Sequence, residues 1–150
     1  MSTGLVTFEC DGSIAKIGLA RSAKRNAINE GLLEDLAQAF VRAHKEAKAG
    51  LLFGEGDHFC AGLDLAELRL RTPEECLPGS RRWHAVFDLM ARGPIPFVAA
   101  LQGAVIGGGL ELAAAAHIRV ADATAFFALP EGQRGIFVGG GGSVRIARLM

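Results

Sequence analysis

Apolar residues along the chain alternate between short runs and helical stripes. Leu5 to Cys10 and Ile14 to Leu19 each have the length of a strand, and Asp11-Gly12 between them signals a hairpin, because glycine accepts positive φ. From about Asn29 the spacing changes. Leu32, Leu33, Leu36, Phe40, Ala43 and Ala47 recur at helical intervals, with Gly50 as the expected stop. Leu51-Leu52-Phe53 predicts a third strand, followed by a glycine-acid loop from Gly54 to His58. Phe59 to Leu65 predicts a strand end, a turn at Gly62 and a helix capped near Asp64.

Thr72-Pro73-Glu74-Glu75 has the form of a capping box with proline at the first helical position. Pro78-Gly79 predicts a break, and Ser80 the start of a new helix with Trp83, Val86, Phe87 and Met90 on one face. That stripe fits core packing or a subunit contact better than a cofactor box. Phe97 to Leu101 predicts a buried strand, Gly108 to Ala116 a close-packed alanine-rich helix, and Ile118 to Ala121 another strand. A last helix is expected from Ser143, still running at Met150. Strands alternating with helices define an α/β class with a largely parallel sheet. The amphipathic pattern stops without a C-cap, which is the expected mark of a domain that continues beyond this sequence.

Composition narrows the class of function. The 150 residues carry sixteen basic and sixteen acidic side chains. Zero net charge argues against a nucleic-acid partner. Cys10, Cys60 and Cys76 have no CxxC spacing and read as small buried hydrophobes in a reducing, cytoplasmic setting. No secretory signal is visible, and residues 93–110, though uncharged, hold two prolines and several glycines. They read as strand, turn and helix rather than a membrane span.

Two glycine runs raise the possibility of a nucleotide site. GxGxxG fails, because Leu112 and Val144 stand where glycine is required, and there is no Gly-Lys for a P-loop. HExxH and GxSxG are absent, and His44, His58, His84 and His117 share no metal spacing. Two turns and two acids remain. Ala61-Gly62-Leu63-Asp64 and Gly107-Gly108-Gly109 can each present free backbone N–H groups, the second at a helix start. Two such donors converging on one point form an oxyanion hole. Glu111 lies one turn into that helix and Glu131 follows Pro130 in a loop. Paired carboxylates beside a carbonyl-stabilising site fit proton transfer next to that carbonyl. Spacing alone leaves a plainer possibility open: glycines pack elements closely, and a first-turn glutamate is favourable in any helix.

Asn26-Ala27-Ile28-Asn29, Phe59 to Leu65, Gly107 to Ala113 and Pro130-Glu131, in this order, resemble the crotonase (enoyl-CoA hydratase/isomerase) superfamily from about Thr7 onward. The resemblance implies a spiral of ββα turns, a homotrimer or hexamer, and an acyl-CoA substrate. It implies that the Leu63 and Gly108 N–H groups hold the thioester oxygen. Ala61 and the segment Leu63, Asp64, Leu65 and Ala66 would line the acyl-CoA cleft, and Lys24 and Arg25 would meet the CoA phosphates and adenine. Glu111 would activate a water for attack at the β-carbon, Glu131 would deliver the α-proton, and Gly139 would lie near the water. The implied reaction is syn hydration of a 2-enoyl-CoA, with no metal and no cofactor beyond the coenzyme A of the substrate. Isomerase, hydrolase, decarboxylase or hydratase-lyase chemistry, or a non-catalytic acyl-CoA-binding subunit, are the alternatives. Val138, where proline is usual, and His117, where aspartate is common, depart from the family pattern.

Overall fold

A computed structural model describes residues 4–67 and 72–150. Strands β1 (Val6–Asp11) and β2 (Ile14–Leu19) form the antiparallel hairpin. Asp11 pairs with Ile14, so the loop is Gly12-Ser13 rather than Asp11-Gly12. Helix α1 (Glu30–Glu46) starts on Asn29, whose side chain accepts the Leu32 N–H at 2.9 Å. One face of α1, including Leu32, Leu33, Leu36, Phe40 and Ala43, is buried. The helix ends at Glu46, before the expected Gly50, because residues from Ala49 are drawn into strand β3 (Ala49–Gly54). There Gly50 lies against the Phe97 ring, a contact no side chain could share.

Helix α2 (Pro73–Ala91) opens at the expected proline but passes through Pro78 without a break. Pro78 forfeits one hydrogen bond, to the Glu74 carbonyl, close to the helix start. Burial of Val86, Phe87 and Met90 further along secures the helix. Where a helix is expected from Asp64 the described residues hold a 3₁₀ turn, Leu65–Glu67, and any continuation would lie outside the described residues. Strand β4 (Phe97–Leu101) is followed by β5 (Ala104–Ile106), helix α3 (Gly108–Ala115), β6 (Ile118–Ala121), β7 (Phe126–Ala128) and the four-residue α4 (Gly142–Arg145). The long final helix is not formed. Val144, Leu149 and Met150 are exposed, so no buried stripe holds a helix there.

Among the described residues, four ββα-like turns make the architecture. Strands β2, β3, β4 and β6 lie parallel in one sheet, with β1 on its edge. Each main-sheet strand is followed by a shorter extended segment. Ile28 bridges Leu63, Cys60 bridges Val105 of β5, and β5 pairs with β7, all parallel. Helices α1 and α3 leave the first and third short segments directly, and 3₁₀ turns, Leu65–Glu67 and Glu131–Arg134, follow the second and fourth. The site therefore forms where successive short segments stack and their helices begin.

Candidate active site

The first turn is built from side chains that satisfy backbone. Asn26 is buried at φ 55°, and its amide donates to the Glu55 and His58 carbonyls while its oxygen accepts the Arg21 N–H. Ile28 N–H donates to Gly62 and Asp64 N–H to Ile28, which threads 62–64 alongside 28. Arg21 pairs with Asp64 at 2.6 Å and also donates to the Ala27 carbonyl. The Arg21 guanidinium and the Ala66 N–H hold the Asp64 carboxyl below the usual carboxylate range. We expect Asp64→Asn to lower folding stability by roughly 2 kcal/mol at pH 7, the range for a charge-assisted hydrogen bond. A depressed folded-state pKa contributes stability above the ordinary aspartate pKa and loses it as pH falls through the folded value. The difference in urea-unfolding free energy between wild type and variant should therefore shrink on acidification.

The second turn leaves β5 at Gly107. Its backbone, at φ 54° and ψ −124°, is open to glycine and strained for any other residue. A β-carbon there would stand 2.8 Å from Glu131 Oε1. Gly107 N–H donates to the Ala128 carbonyl at 2.8 Å, which leaves the next amide, that of Gly108, at the helix start. The two turns abut. A β-carbon on Gly62 (φ 90°) would be 2.7 Å from the Ile106 carbonyl oxygen and 3.2 Å from Gly108 N. One on Gly108 would be 3.7 Å from Leu63 N and 2.5 Å from the Trp83 ring. Among the described residues, neither the Leu63 nor the Gly108 N–H donates a hydrogen bond. Two unspent amides thus occupy one corner, on half-buried Leu63 and buried Gly108, where both could serve one ligand oxygen.

Both acids reach that corner. Glu111 is 3% exposed, and its Oε1 accepts the Gly140 and Gly142 N–H groups at 2.7 and 2.8 Å. Burial raises its pKa above the ordinary glutamate value. The two glycine amides oppose that rise, Glu131 adds to it and His84 opposes it. Glu131 is 8% exposed and begins a 3₁₀ turn, Glu131–Arg134; its Oε2 is buried without a partner. Together they line a cleft of about 550 Å³ whose other walls include Leu63, Gly108, Trp83 and Phe137.

Ala61, Leu63, Leu65, Gly108, Glu111, Glu131, Gly139 and Arg25 line this cleft; Lys24, Asp64 and Ala66 do not. The Asp64 carboxylate is turned to Arg21 and braces the loop instead of facing the cleft. Ala66 is exposed in the 3₁₀ turn, and Lys24 ends another, Ser22–Lys24. Gly139 lies in the wall and gives its carbonyl to Ser80, while its neighbours Gly140 and Gly142 carry the amides on Glu111. Sequence reasoning missed those two amides, and placed Trp83 with the core although it walls the cleft and packs edge-on to Phe87 at 5.5 Å. The run of four glycines was the available signal for the first; helical periodicity hides the second. The cysteines also differ from expectation. Cys60 alone is buried, its thiol pushed up to about 12 by desolvation, whereas Cys10 and Cys76 are exposed. Among the described residues no cluster of three or more His, Cys, Asp or Glu could hold a metal ion, and no helix is long and apolar enough to cross a membrane.

The family model described as enoyl-CoA hydratase/isomerase matches residues 9–150. The chain belongs to this family, and its fold is the crotonase fold. It is similar to the probable mitochondrial enoyl-CoA hydratase 2 of Arabidopsis thaliana, at 36% identity over 143 residues, covering 93% of this chain and 48% of that protein. It is 35% identical over 138 residues to the human mitochondrial methylglutaconyl-CoA hydratase, covering 90% and 41%. Among solved structures, a putative enoyl-CoA hydratase from Rhodopseudomonas palustris CGA009 superposes with a TM-score of 0.93 at 54% identity, covering 96% of this chain and 56% of that one. The chain spans about half the length of the curated relatives it matches.

Proposed function

We propose that the protein is a 2-enoyl-CoA hydratase. The observation that carries this reading is the unpartnered Glu131 Oε2, buried in the wall of the cleft that Glu111 also lines. A carboxyl oxygen without a protein partner, near enough to a second carboxyl for its charge to raise that group's pKa, suits a pair that grips one water. The thioester oxygen accepts from the Leu63 and Gly108 amides. Glu111 takes a proton from the water as its oxygen bonds to the β-carbon, and the C=C electrons move through the α-carbon onto the thioester oxygen as an enolate. Collapse of the enolate draws the proton of Glu131 onto the α-carbon, on the same face, giving the 3-hydroxyacyl-CoA. Each amide donor in such a hole is worth roughly 3 kcal/mol of transition-state stabilisation.

Two acids favour hydration over those family reactions that need only one, and hydratase names among the relatives agree. An assembly of three or six copies is the quaternary state that goes with this reading. The test is turnover by the intact protein. Crotonyl-CoA should lose its conjugated thioester absorbance and yield 3-hydroxybutyryl-CoA. Binding of crotonyl-CoA without that loss would sink the hydratase reading and favour an acyl-CoA-binding subunit.

A further inference from the structure

The loop that supplies amides to Glu111 is itself held from behind. Ser80 Oγ of α2 donates to the Gly139 carbonyl at 3.0 Å. Arg145 of α4 spans two elements: Nη1 donates to the Gly140 carbonyl at 2.8 Å and Nη2 to Asp88 Oδ1 of α2 at 2.5 Å. The two side chains are only 18% and 34% exposed, so the pair is partly shielded from solvent. Arg92, itself 80% exposed, is a looser second partner of Asp88 at 3.5 Å. Gly140 is therefore gripped at both ends, its carbonyl by Arg145 and its N–H by Glu111. A planar guanidinium can serve a carbonyl and a carboxylate at fixed angles; a lysine cannot.

We propose that Asp88 and Arg145 are positioning residues that clamp the Gly140 turn and thereby aim its N–H at Glu111. The inference rests on the hydratase reading only for its kinetic consequence. A purely structural role, pinning α4 to α2, would leave the Glu111 carboxyl untouched. The clamp would not. Amides bonded to a carboxylate favour its charged form, so a slackened turn makes Glu111 easier to protonate. The charged or titratable groups that act on Glu111 are Glu131 from its 3₁₀ turn and His84 from α2; behind the Gly140 turn stand Asp88 of α2 and Arg145 of α4, paired with each other. Asp88→Ala separates two effects by sign. Losing a nearby negative charge, acting through space alone, lowers the pH at which Glu111 titrates. Releasing the clamp raises it.

The experiment follows the Glu111 carboxyl by ¹³C NMR through a pH titration of the intact protein and of Asp88→Ala and Arg145→Lys. Both variants should titrate at higher pH than wild type. In crotonyl-CoA hydration the acid limb of kcat/KM should move up with it. A misaimed base should cost about tenfold to a hundredfold in kcat, with KM changed less than about twofold. A folded Asp88→Ala whose Glu111 titrates unchanged, or lower, overturns the clamp. Should Asp88→Ala fail to fold, Arg145→Lys, which retains the charge, decides the matter by the same two outcomes. If the wild type turns over no enoyl-CoA while the titration still moves up in the variants, the hydratase reading falls and the clamp stands.

Discussion

Glu111→Gln should lower kcat for enoyl-CoA hydration about 10²- to 10⁴-fold, the usual worth of a positioned general base. Glutamine is the informative replacement. Its amide oxygen can still accept the Gly140 and Gly142 N–H groups, so the turn stays in place. Alanine would orphan both donors and confuse loss of chemistry with loss of structure. KM for the thioester should stay nearly constant, because binding rests on the Leu63 and Gly108 amides and the cleft walls. The pH profile gives a second check. Burial holds the Glu111 pKa above the ordinary glutamate value, and a base works only when deprotonated. The acid limb of kcat/KM should therefore lie above the ordinary glutamate range in wild type and disappear in the variant. Stability should move the other way. A group whose folded pKa is raised supports the fold below its unfolded pKa and ceases to do so as pH rises through the folded value. At pH 7 the ionised Glu111 is a burden on the fold, so the thermal midpoint of Glu111→Gln should match or exceed that of wild type.

Glu131→Gln should cost a similar factor, about 10²- to 10⁴-fold in kcat, for a different reason. Here the lost function is delivery of the α-proton. Because Oε2 has no protein partner, the substitution breaks no hydrogen bond, and circular dichroism and acyl-CoA binding should be unchanged. Solvent exchange distinguishes the two acids. In D₂O, exchange of the α-protons of bound butyryl-CoA should persist in Glu111→Gln and be lost in Glu131→Gln. Equal exchange in both variants would contradict the division of labour between them.

Much of this arrangement was legible in the chain, for identifiable reasons. Helical spacing from Leu32 to Ala43 located α1, and the Gly107-Gly108-Gly109 run before Glu111 located the second turn. These features depend on local preferences that sequence expresses directly. What escaped was set by tertiary pairing. Gly50 reads as a helix stop but is a strand residue chosen to seat Phe97. Pro78 reads as a break but is carried by core contacts made several residues later. Asp64 stands in the right motif, yet its carboxylate is claimed by Arg21 from the loop after β2, far earlier in the chain. The same holds for Trp83, whose neighbour Gly108 comes from another turn of the spiral. Contacts of that kind leave no periodic trace.

The most direct test is a crystal structure of the intact protein with a bound acyl-CoA. The thioester oxygen should lie about 2.7–3.2 Å from both the Leu63 and Gly108 nitrogens. Its α- and β-carbons should face the carboxyls of Glu111 and Glu131, with one water between the two acids. A thioester oxygen bonded elsewhere, with those two amides still unspent and no water shared by the carboxyls, would contradict the proposed chemistry outright.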